Sequence, residues 1–242
     1  AAEGMGAFDV VVCTTPPLLL TTSAIKIAKR KGAKLVLDVR DVWPDVAYEM
    51  GSFSPSSPYG RFFSHIAKRG FKVADMVSTV SAGKAEKLRG RVPAGTPVEL
   101  VPNGIDRAFV ENEEDLAVVE RFDLEHGPIC CYVGNIGLAQ GLGTLLDIAS
   151  VRPDVRFLLF GAGADKKALE QRAKVEGLSN VEFCGSVDAR GVYTVLRYSA
   201  LSYVPLVSSR LRDSIPTKLY ECVACGCPVL LAAQGDSVGL LE

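Results

Sequence analysis

Histidine is almost missing from this chain: its 242 residues hold only His65 and His126, far apart in sequence. A structural zinc takes four ligands, usually Cys and His at close spacing. The C-x-x-C-x-C run of Cys222, Cys225 and Cys227 therefore has no histidine near it to complete a site. A thioredoxin-type C-x-x-C would open its helix directly after a strand. Here the cysteines come late in an expected helix, at core-facing spacing, where Cys packs as a small hydrophobe. No metal site is expected. The other cysteines, Cys13, Cys130, Cys131 and Cys184, lie in apolar strand-like runs and bring the total to an odd seven. That scatter is not a disulfide framework. It suits a reducing compartment, so a cytoplasmic location is expected.

An excess of one charge is missing too. The chain has 27 Lys and Arg against 28 Asp and Glu, a net charge of −1. No broad attraction to nucleic acid follows, and no nucleic-acid partner is expected. No apolar run approaches the ~18–20 residues of a membrane-spanning helix. The longest, around Pro16 to Leu20, is broken by Thr21, Thr22 and Ser23. The N-terminus shows no basic stretch followed by an apolar core, so no secretory signal is visible. It also lacks an initiator Met, and the final "GDSVGLLE" reads as the start of a helix. Both ends read as cut, and a fragment is expected.

What the chain does have is a repeated rhythm of short β-branched apolar runs and longer amphipathic segments. "FDVVVCTT", "AKLVLDV", "DMVSTV" and "PVELVPN" read as strands, separated by helices in "LLLTTSAIKIAKRKG", "YGRFFSHIAKRGFKVA" and "AGKAEKLRG". Gly32 supplies a helix stop after a basic last turn. After an acidic, poorly periodic stretch, the rhythm resumes with "ICCYVG", "VRFLLFG", "VEFCG", "LSYVPL" and "PVLLAA" as strands alternating with helices. These strands are continuously apolar rather than alternating, as in parallel sheets covered on both faces. The expected fold class is therefore α/β, with two Rossmann-like parallel-sheet domains, both incomplete. Residues 1–107 form the first, 108–127 a linker and 128–242 the second. Ligands of such sheets bind beyond the carboxyl ends of the strands.

Three stretches stand at such ends in the second half. In "YVGNIGLAQGLGTL", Gly134, Gly137, Gly141 and Gly143 follow a strand and open a helix, so backbone N–H groups could face an anion, or the loop could be only a tight turn. Lys and Ser/Thr of a Walker loop are absent. In "LLFGAGADKKALE", Gly161-x-Gly163 resembles the start of a dinucleotide fingerprint, but Lys166 stands where the third glycine belongs. In "SSRLRDSIPTKLYECVACGCPV", Arg210, Arg212, Asp213, Lys218 and Glu221 crowd together. Pro216 suits a first helical turn, with Ser214 as its cap. Lys218 and Glu221, spaced i, i+3, could reach one ligand or pair with each other. In the first half, "LVLDVRDVWPD" gathers Asp38, Arg40, Asp41 and Asp45 with the single Trp43 at a strand end; an Arg–Asp structural pair is the alternative for Asp38.

Taken in order, "DVRDVWPD", "VSTVSAGKAEKL", "VPNGID", "YVGNIGLAQGL", "FLLFGAGADKKALE", "VEFCGSV" and "IPTKLYECVACGCPVLLA" resemble the GT-B glycosyltransferases of family four, and within them the bacterial fucosamine-transferase-like subgroup. The resemblance runs from about Asp9 to the end. It implies retaining transfer of a sugar from a UDP- or GDP-linked donor, without metal or cofactor, to a lipid-linked or saccharide acceptor in polysaccharide or O-antigen assembly. The family's Glu-x7-Glu pair falls on Asp213, beside the donor sugar, and Glu221, beside the ribose. Lys218 would face the phosphates with Arg210 or Arg212. Gly134, Asn135 and Gly137 would approach the diphosphate. Ser186 and Val187 would lie near the base, and Gln140, Gly161 and Gly163 complete the donor set. Three departures stand out. Asp213 is one methylene shorter than the common Glu. Asn135 and Gln140 replace a basic pair, and Arg40, followed by Asp41, replaces a histidine at the first-domain strand end. Arg40 and Asp41 are the catalytic expectations of that domain. A UDP-sugar 2-epimerase and a noncatalytic nucleotide-sugar-binding protein share these features. The basic segments "KIAKRKGAK" and "AKRGFK" could touch the inner face of a membrane or be a solvated surface.

Overall fold

The structure is a computed structural model that describes residues 6–206 and 212–241. The chain divides into two compact units, Ala1–Pro102 and Asn103–Glu242. In the first, β1 (Val10–Thr15), α1 (Leu20–Lys31), β2 (Lys34–Val39), α2 (Asp45–Glu49), α3 (Pro58–Val73), β3 (Met76–Thr79), α4 (Ala82–Arg89) and β4 (Val98–Leu100) follow in order. The four strands are parallel, in the order β1-β2-β3-β4. Gly32 ends α1 at φ 66°, as its position after the basic turn predicts. Ser57 caps α3 by accepting from the Gly60 amide at 3.0 Å. Leu35, Leu37, Val39 and Val77 of the strands are buried with Ile25, Ile66, Phe71 and Leu88 of the helices in one core.

The second unit begins earlier than the sequence suggests. Its elements are α5 (Arg107–Val110), α6 (Leu116–Phe122), β5 (Ile129–Val133), a 3-10 turn (Leu138–Gln140), α7 (Gly143–Val151), β6 (Arg156–Phe160), α8 (Lys166–Val175), β7 (Val181–Gly185), α9 (Ala189–Tyr198), β8 (Leu201–Pro205), α10 (Thr217–Ala224), β9 (Val229–Ala232) and α11 (Asp236–Gly239). The segment 108–127, expected as a linker, packs on α9 instead. Phe109 meets Tyr193 edge-on, the Asp115 amide donates to Thr194 Oγ1 at 2.8 Å, and the Tyr198 hydroxyl bonds the Glu114 carboxylate at 2.9 Å. The many acidic residues there conceal Val119, Phe122 and Leu124, which are buried against Phe160 and the sheet.

The five strands of this unit are parallel, in the order β7-β6-β5-β8-β9. Successive residues of β5 face opposite layers: Ile129 and Cys131 join one core, Cys130 and Tyr132 the other. Burial on both faces explains why these strands read as unbroken apolar runs. All seven cysteines are free and buried. Cys222, Cys225 and Cys227 join the same core as Cys131, so the eye-catching C-x-x-C-x-C run is packing. Among the described residues no three His, Cys, Asp or Glu side chains are grouped to hold a metal ion, and no helix is long and apolar enough to cross a membrane.

Candidate functional site

The strand order of the second unit reverses at β5: β6 lies on one side of it and β8 on the other. Connections leaving β5 and β8 therefore diverge, and a crevice opens at their carboxyl ends. The glycine loop follows β5, and α10 follows β8. Topology alone thus brings Gly134 and Lys218 to one place, although 83 positions of the numbering separate them.

The loop is held by two close crossings. The amides of Gly134 and Ile136 donate to the carbonyls of Phe160 and Ala162 at 2.9 and 2.8 Å, continuing the β5–β6 ladder past the strand ends. A Cβ on Gly161, which has φ 137°, would lie 1.8 Å from the Gly134 carbonyl oxygen; one on Gly163 would lie 2.1 Å from that of Ile136. Both positions exclude side chains. The amides of Gly134 and Ile136 are spent on the sheet, so contact with an anion falls to the rest of the loop.

Beside this crossing is a cleft of about 340 Å³, lined chiefly by Gly134, Asn135, Gly161, Ala162, Ser186 and Val187. Five residues of the expected donor set meet there. Gly191 in α9 leaves room for Val187, since a Cβ on it would fall 2.8 Å from that side chain. Gly137, Gln140 and Gly163 border the cleft's loops rather than line it. Among the described residues, Gln140 Oε1 is a buried acceptor with no hydrogen-bond donor.

On α10, Lys218 and Glu221 do not form an ion pair with each other. Lys218 Nζ instead donates to the Tyr132 hydroxyl at 2.9 Å and stands 4.1 Å from that ring's centroid. It also stands 2.9 Å from where a Cβ on Gly134 would be. Burial pushes the ammonium down to about 8, against the smaller opposing pull of Cys222 and Glu221. Glu221 is half-buried, and that burial raises its carboxyl above the ordinary carboxylate range. Ser214 does not cap α10. Pro216 holds the N-cap position with no side-chain bond, and the Ser214 carbonyl accepts from the Ser237 hydroxyl at 2.7 Å. Asp213 is half-buried and Arg212 exposed in the segment before α10. The Arg212 carbonyl accepts from the Asp236 amide at 2.8 Å. Arg210 lies outside the described residues.

Arg40 and Asp41 belong to the first unit, at the carboxyl end of β2. Arg40 Nε donates to Asp38 Oδ2 at 2.9 Å, and Asp38 also accepts from Ser78 and Thr14 at 3.0 and 3.2 Å. Asp38 therefore ties three adjacent strands together, the structural alternative that its sequence position allowed. Lys84, with its side chain only 5% exposed, points at Asp41 with Nζ 3.4 Å from Oδ1. Sequence reading missed Lys84. A lysine in the first turn of a helix opposes the dipole, which is a signal that it has a nearby acid.

Two family models cover the two units: "Glycosyl transferase 4-like domain" matches residues 5–104, and "Glycosyl transferases group 1" matches 127–240. Each unit thus matches a glycosyl transferase domain model, and the two matches together span most of the chain. WcaI of Escherichia coli (strain K12), a glycosyl transferase assigned to colanic acid biosynthesis, is 25% identical over 234 residues, 93% of this chain and 58% of its own length. Among solved structures, Anabaena HepE in complex with UDP superposes with a TM-score of 0.78 at 16% identity, covering 97% of this chain and 62% of HepE. Sucrose-phosphate synthase from Thermosynechococcus elongatus does so at 0.73 and 20%, covering 94% and 57%. The chain thus spans somewhat over half the length of these relatives. The finer fucosamine-transferase-like subgroup is not singled out by any of them.

Proposed function

We propose that the protein carrying this chain is a retaining glycosyltransferase that moves a sugar from a nucleoside-diphosphate donor to a lipid-linked or saccharide acceptor in polysaccharide assembly. One observation carries the reading: α10 holds a largely buried cation, Lys218, against the glycine loop with no carboxylate in ion-pair distance among the described residues. A buried cation without a counter-ion suits an incoming anion. Glu221, three residues on, is a half-buried carboxylate whose acceptor oxygens suit a pair of ribose hydroxyls. UDP in the HepE complex and the colanic acid role assigned to WcaI favour a UDP-type donor and a polysaccharide product.

In this reading the bond from the anomeric carbon to the β-phosphate oxygen breaks, its electrons leaving with the diphosphate. The acceptor hydroxyl oxygen bonds that carbon on the same face, and its proton passes to the departing phosphate oxygen. Lys218 and the loop stabilise the charge that develops, as a metal would elsewhere. Asp213 serves the donor sugar; Arg40 and Asp41 serve the donor sugar or the acceptor. No metal or cofactor is required.

The acceptor's lipid is favoured by a charge pattern in the first unit. Residues 10–37 and 50–74 contain no Asp or Glu, while α1 and α3 carry Lys26, Lys29, Arg30, Lys31, Arg61, Lys68, Arg69 and Lys72. These helices pack side by side, with Leu19, Leu20, Tyr59 and Phe62 exposed at their starts. Basic side chains with apolar neighbours suit an anionic lipid surface, which favours work at the cytoplasmic face of a membrane. The deciding experiment is a screen of UDP- and GDP-sugars with the intact protein and lipid-linked acceptors, read by mass spectrometry. Free nucleotide diphosphate plus a glycosylated acceptor is expected. An epimerised sugar nucleotide, or binding without turnover on any acceptor, would overturn the transferase reading.

A further inference from the structure

Tyr132 is the least exposed residue of its size in the second unit, with no measurable solvent contact, yet its hydroxyl is not idle. It donates to the Asn135 carbonyl at 2.6 Å and accepts from Lys218 Nζ at 2.9 Å. One oxygen at the end of β5 therefore joins the glycine loop, three residues onward, to a side chain of α10. The ring lies beneath the same ammonium, at 4.1 Å. No role was foreseen for this residue from the sequence, where it is one aromatic in an apolar strand.

We infer that Tyr132 is a positioning residue for the nucleotide-diphosphate site: its hydroxyl locks the Lys218 ammonium and the Asn135 carbonyl into one rigid unit, so that cation and loop meet the diphosphate together. The inference rests on the donor-site reading above.

Three features support a positioning role over simple packing. The phenol stays protonated, because burial pushes its pKa well above the ordinary tyrosine value, so it remains a donor to Asn135 and offers a lone pair to Lys218. Both flanking groups need placing. Gly134, at φ 141°, leaves no side chain between loop and ammonium, and the flexible Lys218 stem has three rotatable N–H donors and, among the described residues, no carboxylate in ion-pair distance to fix it. Finally, the loop lacks its own cation: "GNIGLAQGL" contains no titratable side chain. Among the described residues, the titratable groups that face Lys218 are Tyr132 from β5 and Glu221 and Cys222 from its own helix. Among the described residues, loss of the phenol oxygen thus removes the only hydrogen bond that holds the charged form in place from outside α10.

Tyr132→Phe keeps the ring and deletes that oxygen. UDP and GDP binding to the intact protein is measured by calorimetry from pH 6.5 to 9.5 for both forms, with thermal unfolding in parallel. Wild-type affinity should fall as pH rises through about 8, where Lys218 loses its proton. The Tyr132→Phe protein should bind roughly three- to ten-fold more weakly at pH 7, and its alkaline fall should begin at lower pH, since an ammonium without its acceptor deprotonates more easily. A loss of affinity equal at every pH would mean that Tyr132 only packs. Unchanged affinity would overturn the inference outright. If the wild type binds neither nucleotide, the donor-site reading itself is wrong, and Lys218→Met, which should then match wild type in binding, confirms that failure separately.

Discussion

The carbonyl oxygen of Gly134 occupies the space that a Cβ on Gly161 would need, 1.8 Å from its ideal position. The two loops that frame the cleft thus cross at a point where neither can retreat, since both backbones are already tied into the sheet through the Gly134-to-Phe160 and Gly161-to-Gly185 bonds. Gly161→Ala should destabilise the second unit by roughly 2–4 kcal/mol, combining backbone overlap with an unfavourable positive φ. Gly177→Ala provides the contrast: its φ is 67° but nothing lies within 4 Å of the added carbon. That change should cost about 1–2 kcal/mol. Chemical denaturation of both variants checks the order, and equal losses would dismiss the crossing as the cause.

Glu221 should trade stability for binding. Its folded-state pKa is raised by burial, so the folded protein holds the proton more tightly than the unfolded chain. Stability therefore falls as pH rises from the unfolded value of about 4.3 through the raised folded value, and the cost persists above it. Glu221→Gln should melt higher than wild type at pH 7, with the two curves converging towards pH 4. Its UDP or GDP affinity should drop roughly ten-fold or more, for loss of a charge-assisted contact. Differential scanning fluorimetry across pH, with and without nucleotide, reads both effects.

Lys218 makes the complementary case. Its pKa is depressed to about 8. Between that value and the unfolded value of about 10.4 the unfolded chain binds more protons, so stability rises with pH across this window. Below it the charged lysine costs stability in full. Lys218→Met should thus melt a few degrees higher at pH 7, a gain on the order of 1–3 kcal/mol that disappears above about pH 10. It should lose diphosphate affinity while binding nucleosides as before. A melting temperature below wild type at pH 7 would contradict the buried, uncompensated cation.

In the first unit, Asp38 and Arg40 should separate stability from turnover. Asp38→Ala strips partners from the buried Ser78 and from Thr14 and Arg40, and should cost about 1–3 kcal/mol. Arg40 is 46% exposed, so Arg40→Ala should cost well under about 1 kcal/mol. If Arg40 contacts donor sugar or acceptor, its loss should nevertheless depress kcat/KM at least ten-fold. Unfolding curves and steady-state rates on the same preparations test the split.

The acid-free pair α1 and α3 predicts selective vesicle binding. Co-sedimentation should be strong with phosphatidylglycerol vesicles, weak with phosphatidylcholine and reversed by high salt. Replacing Lys68, Arg69 and Lys72 by Glu should abolish it while leaving nucleotide binding unchanged. Equal binding to both lipids would argue against an electrostatic dock.

The order of strands and helices was legible because parallel sheets leave a coarse imprint: continuous apolar runs for strands covered on both faces, amphipathic stretches between them, and Gly32 as a stop. The glycine loop and the Lys218–Glu221 pair were visible because strand ends are where such sheets bind ligands. Less legible was the segment 108–127, where surface acids outnumber the apolar residues that anchor it to α9. Sequence also left open whether Lys218 and Glu221 pair, since i, i+3 spacing permits it on any exposed helix.

Sequence by itself determined the fold class, the repeat of strand and helix, and the burial of the cysteines, since each follows from local pattern and hydrophobicity. Only the tertiary structure decided that Lys218 turns to Tyr132 rather than Glu221, that Gly161 and Gly163 are demanded by neighbouring carbonyls, and that Asp38 ties three strands. Those outcomes depend on which groups the reversal of strand order at β5, and the register of β1 to β3, bring within hydrogen-bond reach, and neither is encoded in any short stretch of the chain.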